Sequence, residues 1–243
     1  HIRGSGHLPA GRTVTTATAL RLEGVTVTYR DGDDLLTVLD DLDLAVAPGE
    51  LVSITGRSGS GKSTLLAVAG MLSRCDRGIV EVDGQRVDGL TNRARTRLRR
   101  DRVSIIHQSP QLFPSLTAVE QLELVAHIRG DLGKVSRQRA RDLLEEVGIA
   151  HRMSHRPSQL SGGERQRLEV ARALMTEPAV ILADEPTAAL DPARAREVME
   201  LITTETRQRA IATVVVVHDP DLTHLADRQL ELRSGALAPS AAT

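Results

Sequence analysis

The chain has 243 residues, and its 31 basic and 32 acidic side chains leave a formal net charge of −1 at pH 7. With no strong overall field and aromatic residues at only 1%, it is not expected to attract nucleic acid, and it cannot build a base-stacking surface. Apolar residues make up 40%, enough for a folded core, and the single cysteine, Cys75, excludes internal disulfides and cysteine-based zinc sites.

Seven segments carry strand patterns, either alternating apolar and polar residues or a short apolar run bounded by turns. They are Leu20–Tyr29, Thr37–Val46, Glu50–Thr55, Ile79–Val82, Val103–His107, Val180–Ala183 and Thr213–Val217. Helical periodicity predicts helices at Lys62–Met71, Arg93–Arg102, Thr117–Arg129, Ser136–Val147, Gly163–Met175 and Arg194–Arg207. Hairpin strands come first and strands then alternate with helices, which predicts an α/β fold with a parallel core and an antiparallel extension.

The two ends of the chain carry no clear pattern. Residues 1–19 are expected to be a tag remnant followed by a flexible arm, because His1–His7 lacks the apolar stretch of a leader peptide. Residues 236–243 are expected to form a flexible tail. The longest apolar runs, Ala179–Ala183 and Val214–Val217, are far shorter than the roughly 20 residues that cross a bilayer, so no membrane span is expected.

A phosphate-binding pattern, G-x-x-x-x-G-K-[ST], lies at Gly56–Ser63. It follows a predicted strand and opens a predicted helix, which is the context that this motif requires. The glycines let backbone N–H groups turn toward phosphate oxygens, and the helix N-terminus adds partial positive charge. In such a loop Lys62 reaches the β- and γ-phosphates and the Ser63 hydroxyl binds Mg²⁺. A plain Gly/Ser-rich turn is the alternative, but it does not account for both the motif and its context.

Two adjacent carboxylates, Asp184 and Glu185, end the apolar run Val180–Ala183. A carboxylate at the end of a buried strand suits a residue that holds Mg²⁺ through water, which we assign to Asp184. The next side chain along an extended chain points the other way, so Glu185 could face an attacking water. Two solvated acids at a strand end are the alternative, which the nearby phosphate loop disfavours. Together the two motifs indicate a P-loop NTPase.

The segment Leu160–Arg167 reads LSGGERQR, and with it the chain closely resembles the ATP-binding subunit of an ABC transporter. Other elements of that family occur in the same order: Tyr29 matches the adenine-stacking aromatic, Gln108 the Q-loop glutamine, Asp191 the D-loop and His218 the switch histidine. The resemblance covers nearly the whole chain. It implies a P-loop NTPase with a RecA-like parallel core, an antiparallel β subdomain and an inserted α-helical subdomain.

The resemblance also implies domain bounds and a site. The ATPase domain would span residues 20–235, with a helical insert at about 108–175. Catalytic roles fall to Lys62, Gln108, Glu185 and His218. Nucleotide contacts fall to Tyr29, Gly56, Ser58, Gly59, Ser60, Gly61, Lys62, Ser63, Thr64, Ser161, Gly162, Gly163 and Asp191, and Mg²⁺ contacts to Ser63, Gln108 and Asp184.

Two kinds of partner follow from the same resemblance. A second copy would pair head to tail on ATP, so that each Ser161–Gly163 segment covers the γ-phosphate held by the other copy's P-loop. An integral membrane permease would dock near Gln108–Glu120, which puts the chain at the cytoplasmic face of the membrane as a peripheral subunit. Phe113 lies in that docking segment, with core packing as its alternative role. The motifs look most like the lipoprotein-releasing, macrolide-export and cell-division group.

Two other functions are compatible with parts of the sequence. A soluble ABC-type ATPase acting on nucleic acid or ribosomes usually carries two ATPase units, long coiled coils or zinc fingers, none of which appears in this sequence; nucleic acid is therefore not expected as a partner. A P-loop kinase of small molecules would not need the signature segment or Gln108. The basic run Arg93–Arg102 is expected to be a solvated helix beside the core, with a patch for nucleic acid or lipid headgroups as the alternative.

Overall fold

A computed structural model describes residues 18–32 and 34–240 of the chain. Most of the predicted N-terminal tag remnant and arm lies outside this part. Ala19, at the end of that predicted arm, is instead buried, and its N–H donates to the carbonyl of Val46 at 3.0 Å. The first strand starts at Leu20 as predicted, and the last residue of the predicted arm is already packed against it.

The strands within these ranges are β1 (Leu20–Asp31), β2 (Asp34–Val46), β3 (Leu51–Thr55), β4 (Arg77–Val82), β5 (Gln85–Arg86), β6 (Val103–Ile106), β7 (Val180–Asp184), β8 (Ala212–Val216), β9 (Arg228–Arg233) and β10 (Ala236–Pro239). The helices are α1 (Lys62–Ala69), α2 (Asn92–Arg102), α3 (Ala118–Arg129), α4 (Lys134–Glu146), α5 (Gly162–Leu174), α6 (Pro192–Gln208) and α7 (Pro220–Thr223). Each of the seven predicted strands and six predicted helices is present, with ends shifted by a few residues.

The strands form two sheets. Four antiparallel strands lie in the order β2-β1-β4-β5, and six lie in the order β10-β9-β3-β8-β7-β6. The pairs β9–β3, β3–β8, β8–β7 and β7–β6 are parallel, and only β10 runs antiparallel to its neighbour. The predicted α/β fold with a parallel core and an antiparallel extension is confirmed.

The continuous apolar runs of the central strands are explained by two hydrophobic cores, one on each face of the six-stranded sheet. In β8, Val214 and Val216 pack into the core shared with the antiparallel sheet and α1. Val215, between them, packs into the core shared with α3, α4, α5 and α6. Because successive side chains of a strand face opposite sides, a strand covered on both sides must be apolar throughout.

The prediction of a flexible tail from residue 236 is wrong for β10. A turn at Ser234 and Gly235, both with positive φ, brings the chain back along β9, and Ala236 pairs with Arg233. Leu237 then packs against the first core. The sequence did not predict β9, because half of its residues, RQLELR, are charged. β9 can carry these charges because it lies next to the edge of the sheet. The last three residues of the predicted tail lie outside the described range.

Between β6 and β7 the chain forms α3, α4, two short 3₁₀ turns and α5, and these three helices pack against one another. This is the segment for which the helical insert of about 108–175 is predicted. The buried residues Leu122, Leu143 and Leu168 come from the three helices and meet in the second core. In the described part of the chain, no helix is long and apolar enough to cross a membrane.

Candidate nucleotide site

Most of the predicted site residues follow neighbouring parallel strands at one edge of the six-stranded sheet. The loop Gly56–Ser63 follows β3, His218 follows β8, Asp184 and Glu185 end β7, and Gln108 follows β6. The carboxyl ends of parallel strands meet at a single edge, which is where open α/β sheets bind ligands. Gly56 and His218, 162 positions apart in the sequence, are therefore brought to the same edge of the sheet.

The backbone of the phosphate loop takes a course that only glycine allows at two positions. Gly56 has φ +154°, and a Cβ built there would lie 2.7 Å from the carbonyl oxygen of Leu232. Gly61 has φ +103°, and its Cβ would lie 2.9 Å from the carbonyl oxygen of Val38. Larger residues at either position would push the loop off β2 and β9. Ser58 and Gly59 lie exposed at its tip.

Lys62 is buried at the first position of α1, and its ammonium group forms hydrogen bonds with the start of the loop. Nζ donates to the carbonyl oxygens of Gly56 at 2.8 Å and Arg57 at 2.9 Å. The next turn is open: in the described structure the backbone N–H groups of Lys62, Ser63 and Thr64 find no acceptor. Unpaired N–H groups around a buried cation make a site for phosphate oxygens.

The side chains of Glu185 and His218 contact each other across neighbouring strands. His218 Nε2 lies 2.5 Å from Glu185 Oε1. Glu185 has φ +48°, uncommon for a residue with a side chain, and its N–H donates to the carbonyl of Val216 at 3.1 Å. A cavity of about 360 Å³ opens beside the pair. The predicted extended backbone is therefore not present at Glu185. Its left-handed backbone instead brings the carboxylate into contact with His218.

The donors predicted to hold Mg²⁺ are hard oxygen ligands of the kind that this ion prefers. Burial and the neighbouring charge of Glu185 raise the pKa of Asp184, and the positive charges of His107 and Lys62 partly offset that rise. Asp184 therefore lies within electrostatic range of the loop lysine. Ser63 and Gln108 are exposed at the same edge of the sheet, and both are free to turn toward a ligand. The residues present fit the ion.

Tyr29 lies in the β1–β2 hairpin, whose second strand reaches the phosphate loop. Its cross-strand partner is Leu36. Two residues further along β2, at a break in the strand register, the side chain of Val38 comes within 3.0 Å of the Cβ position built at Gly61. Tyr29 is 46% exposed, so its ring is available for stacking rather than packed in the core.

The signature segment caps α5. Ser161 Oγ accepts from the N–H of Glu164 at 3.2 Å, and Glu164 Oε2 accepts from the N–H of Ser161 at 2.7 Å. This reciprocal capping leaves the hydroxyl proton of Ser161 free to donate. A Cβ at Gly162 would lie 3.4 Å from Leu190, so the segment is close to the D-loop.

The D-loop residue Asp191 caps the next helix, α6. Its Oδ1 accepts from the N–H of Arg194 at 3.1 Å. α5 and α6 pack together, and no hydrogen bond within the described residues joins Ser161, Gly162 or Gly163 to the phosphate loop. One chain therefore presents two separate surfaces for an anion, one at Gly56–Ser63 and one at Ser161.

Glu164 contributes to the pH dependence of the free energy of unfolding. Hydrogen bonds from the N–H of Ser161 and from Arg152 lower the pKa of this carboxylate from its ordinary value near 4.5 to about 2. A lowered pKa gives stability that is present above pH 4.5 and is lost as the pH falls toward 2. Between pH 6 and pH 3 the wild type should lose about 1 to 2 kcal/mol more than Glu164→Gln. Urea unfolding at the two pH values measures this difference; equal losses would contradict it.

Sequence reasoning missed a polar group that holds the segment after Gln108. Gln121 is buried in α3, where its amide accepts from the N–H of Phe113 at 3.1 Å and donates to that residue's carbonyl at 2.7 Å. In α5, buried Glu169 pairs with Arg172 at 2.7 Å, and Arg172 also donates to the carbonyl of Gln111. No short motif marks these residues. The alternative prediction that Phe113 packs in the core is wrong, because this side chain is 52% exposed.

Comparison with known proteins agrees with this geometry. The model of the ABC transporter family matches residues 39–188. The chain is 43% identical over 222 residues to the lipoprotein-releasing system ATP-binding protein LolD of Granulibacter bethesdensis, covering 91% of this chain and 97% of that protein. The Bordetella pertussis protein of the same name is 43% identical over 224 residues, with 92% and 97% covered. A dimeric post-hydrolysis structure of the ATP-binding cassette MJ0796, bound to ADP and Pi, aligns with a TM-score of 0.81 and 35% identity over 92% of this chain and all of that one.

A parallel sheet with a phosphate loop and a signature helix defines an ATP-binding cassette ATPase. The chain belongs to the ABC transporter family and is an ATPase subunit of that kind of transporter. The family, the fold class and the enzyme class predicted from the sequence are confirmed. The roles of individual site residues stay predictions.

Proposed function

We propose that two copies of this chain hydrolyse ATP with Mg²⁺ in composite sites and use the energy to drive a membrane permease. The hydrogen-bonded pair of Glu185 and His218, at the same edge of the sheet as the phosphate loop, carries this proposal. It supplies a proton acceptor where an attacking water would stand, beside donors for the phosphates.

Phosphoryl transfer depends on positioning and on neutralising charge more than on covalent chemistry. The N–H groups of Lys62, Ser63 and Thr64 would bind the phosphate oxygens, and the Lys62 ammonium would balance charge between the β- and γ-phosphates. Ser63, Gln108 and Asp184 would hold Mg²⁺, which when bound neutralises further phosphate charge. The exposed ring of Tyr29 would stack on the adenine.

The pair at the strand ends would activate the water. A carboxylate can only accept, so the bond between Glu185 Oε1 and His218 Nε2 requires the proton on the histidine nitrogen. The second carboxylate oxygen remains to take the proton of an attacking water, while the histidine fixes the carboxylate's orientation. Glu185 would act as the general base, and His218 would position both it and the γ-phosphate.

The signature segment would complete the site of a second copy. Within one chain Ser161 caps α5 beside the D-loop and makes no hydrogen bond to the phosphate loop among the described residues. A head-to-tail pair would set the Ser161 hydroxyl and the α5 N-terminus against the γ-phosphate held by the partner. The dimeric cassette MJ0796, which binds ADP and Pi, supports this arrangement.

The permease would dock at Gln108–Glu120, on the segment that Gln121 and Arg172 fix to α3 and α5. Phe113 is the exposed apolar group there. The chain would then act at the cytoplasmic face of the membrane as a peripheral subunit. Because its relatives are named as ATP-binding proteins of lipoprotein-releasing systems, we propose the release of lipoproteins from a membrane as the process that it drives.

Co-purification in detergent tests the docking. Phe113→Asp should lower the amount of co-purified permease at least about tenfold, since it places an unpaired charge in an apolar contact. Val135→Asp is the matched control, because Val135 is 84% exposed on α4 and should leave the yield unchanged. Both variants should bind ATP as the wild type does. Recovery of ribosomes or nucleic acid in place of a permease would favour the rival function.

A further inference from the structure

Helix α2 concentrates positive charge in a chain that is otherwise acidic. Its eleven residues include six arginines and one aspartate, a net charge of +5. Since the whole chain carries −1, the remainder carries −6. The structure shows which of these arginines have a role in the fold and which do not.

Two of the arginines face inward and bind the segment that follows α1. Arg95 Nε and Nη2 donate to the carbonyl of Met71 at 3.1 and 2.9 Å, and Arg99 Nη1 donates to the same oxygen at 3.0 Å. Arg95 also donates to the carbonyl of Ser73 at 2.6 Å. These bonds satisfy backbone oxygens of the turn that follows α1.

Two more arginines form surface ion pairs. Arg100 contacts Asp101 at 2.8 Å, and Arg102 contacts Asp83 at 3.1 Å. This leaves Arg93 and Arg97, one helical turn apart and exposed, for which no hydrogen bond or ion pair occurs anywhere in residues 18–32 and 34–240. We call these two side chains the free arginine face.

The free arginine face costs stability. Arg93 lies in the first turn of α2, where a positive charge opposes the helix dipole and where no acidic residue is present. Arg93 and Arg97 are also like charges four residues apart, a spacing that destabilises a helix. Folding alone therefore does not explain this pair, whereas an anion outside the chain would.

Two cavities flank the free arginine face, and both are lined by Arg93 and Arg97. One of about 620 Å³ extends toward Arg129 and the end of α5, and one of about 420 Å³ extends toward Arg100. The acidic residues that line the larger cavity are Asp101 and Glu177. Both are already paired, Asp101 with Arg100 and Glu177 with Arg139 at 3.0 Å. The unbalanced charge of the two cavities is positive.

The position of α2 indicates what lies opposite it. α2 packs on β6, the edge strand of the six-stranded sheet, and β6 leads directly into Gln108 and the proposed docking segment. The other edge of the sheet is β10. If the permease docks at Gln108–Glu120, as the proposed function has it, the membrane surface lies on the β6 side. Because α2 packs on that same edge strand, we expect the free arginine face to lie on the side of the subunit that faces the membrane.

We propose that the free arginine face binds the phosphate headgroups of anionic phospholipids at the membrane surface beside the permease. A guanidinium donates to phosphate in pairs of hydrogen bonds, and the two cavities leave room for a headgroup at each side of the arginines. Basic side chains at a membrane surface gain from its negative potential. An acidic segment of the permease is the competing partner.

Vesicle co-sedimentation of the full chain tests this. Binding to phosphatidylcholine vesicles containing phosphatidylglycerol should fall about 30-fold in Arg93→Gln/Arg97→Gln, and binding to pure phosphatidylcholine should be weak for every form. The matched control is Arg137→Gln/Arg141→Gln, which removes two exposed arginines at the same spacing on α4. This control should keep the wild-type affinity. Soluble glycerol phosphate should compete poorly, because it lacks the membrane's surface potential.

Three outcomes would overturn the lipid proposal. The first is unchanged vesicle binding in Arg93→Gln/Arg97→Gln, and the second is an equal loss in the Arg137/Arg141 control. The third is loss of permease co-purification by the Arg93/Arg97 variant with vesicle binding intact, which would assign the face to an acidic protein segment. ATP turnover without vesicles should not change in this variant. A failure here is thus distinct from a failure of docking, which the Phe113 variant reports.

Discussion

Glu185→Gln should bind ATP, hold two copies together and release almost no phosphate. Glutamine has the shape of glutamate and its amide oxygen still accepts from His218 Nε2, so the contact of 2.5 Å can persist. The amide cannot take a proton from water. Loss of a general base typically slows a reaction about 100- to 10,000-fold.

Phosphate release and size-exclusion chromatography with ATP and Mg²⁺ measure the two effects together. The wild type should elute as a mixture that changes as ATP is consumed, whereas the variant should remain a dimer. Glu145→Gln on α4 is the control, since the Glu145 side chain is exposed and has no hydrogen bond or ion pair within residues 18–32 and 34–240. Turnover near the wild-type rate in Glu185→Gln would remove this residue from the role of base.

Lys62→Ala should lose ATP affinity by about 10- to 150-fold and lose turnover with it. The ammonium group is buried and donates to two backbone carbonyls, at 2.8 and 2.9 Å, and it has no carboxylate within ion-pair distance among the described residues. A buried cation without a counterion is costly unless a ligand supplies the negative charge. Alanine removes that charge from the loop.

Thermal unfolding separates binding from folding in this variant. Without nucleotide, Lys62→Ala should unfold near the wild-type temperature, because the loss of two hydrogen bonds is offset by removal of a buried charge that has no counterion. With ATP, the stability of the wild type should rise with the logarithm of the ATP concentration above its Kd, and the variant should gain little. An unchanged ATP-dependent shift would show that the loop lysine does not bind the nucleotide.

Mixing Lys62→Ala with a second variant, Ser161→Asp, tests whether two copies pair head to tail. Ser161→Asp keeps a side chain that caps α5 but puts a negative charge toward the partner's γ-phosphate. Either variant alone has two defective sites per dimer. A mixed dimer has one site with both defects and one intact site, so an equimolar mixture should recover about a quarter of wild-type turnover. No recovery would exclude sites shared between copies.

The fold and the strand-end residues could be predicted because both depend on local pattern. β7 and β8 are short apolar runs, and the residues at their ends must lie together once the strands are parallel neighbours. Glu185 is a partial exception. The prediction for Glu185 assumed an extended chain, whereas its backbone is left-handed, and both that backbone and the contact with His218 depend on the neighbouring strand.

What the sequence did not reveal depends on contacts between distant segments. Gln121 and Arg172 are ordinary helix residues until the loop at Gln111–Phe113 folds over them. β10 became a strand because β9 offered it an edge, not because of its own composition. In the basic run, periodicity predicts a helix beside the core, but only the packed structure separates the arginines that bond to the carbonyl of Met71 from those that face outward.

The hydrogen bonds to Met71 tie α2 to the segment that follows α1. Helix α1 has eight residues, is about 12 Å long and begins at the phosphate loop. α2 is thus joined to the far end of α1 through the carbonyl of Met71, two residues beyond that helix. If the loop moves on nucleotide exchange, we expect α2 to move with it.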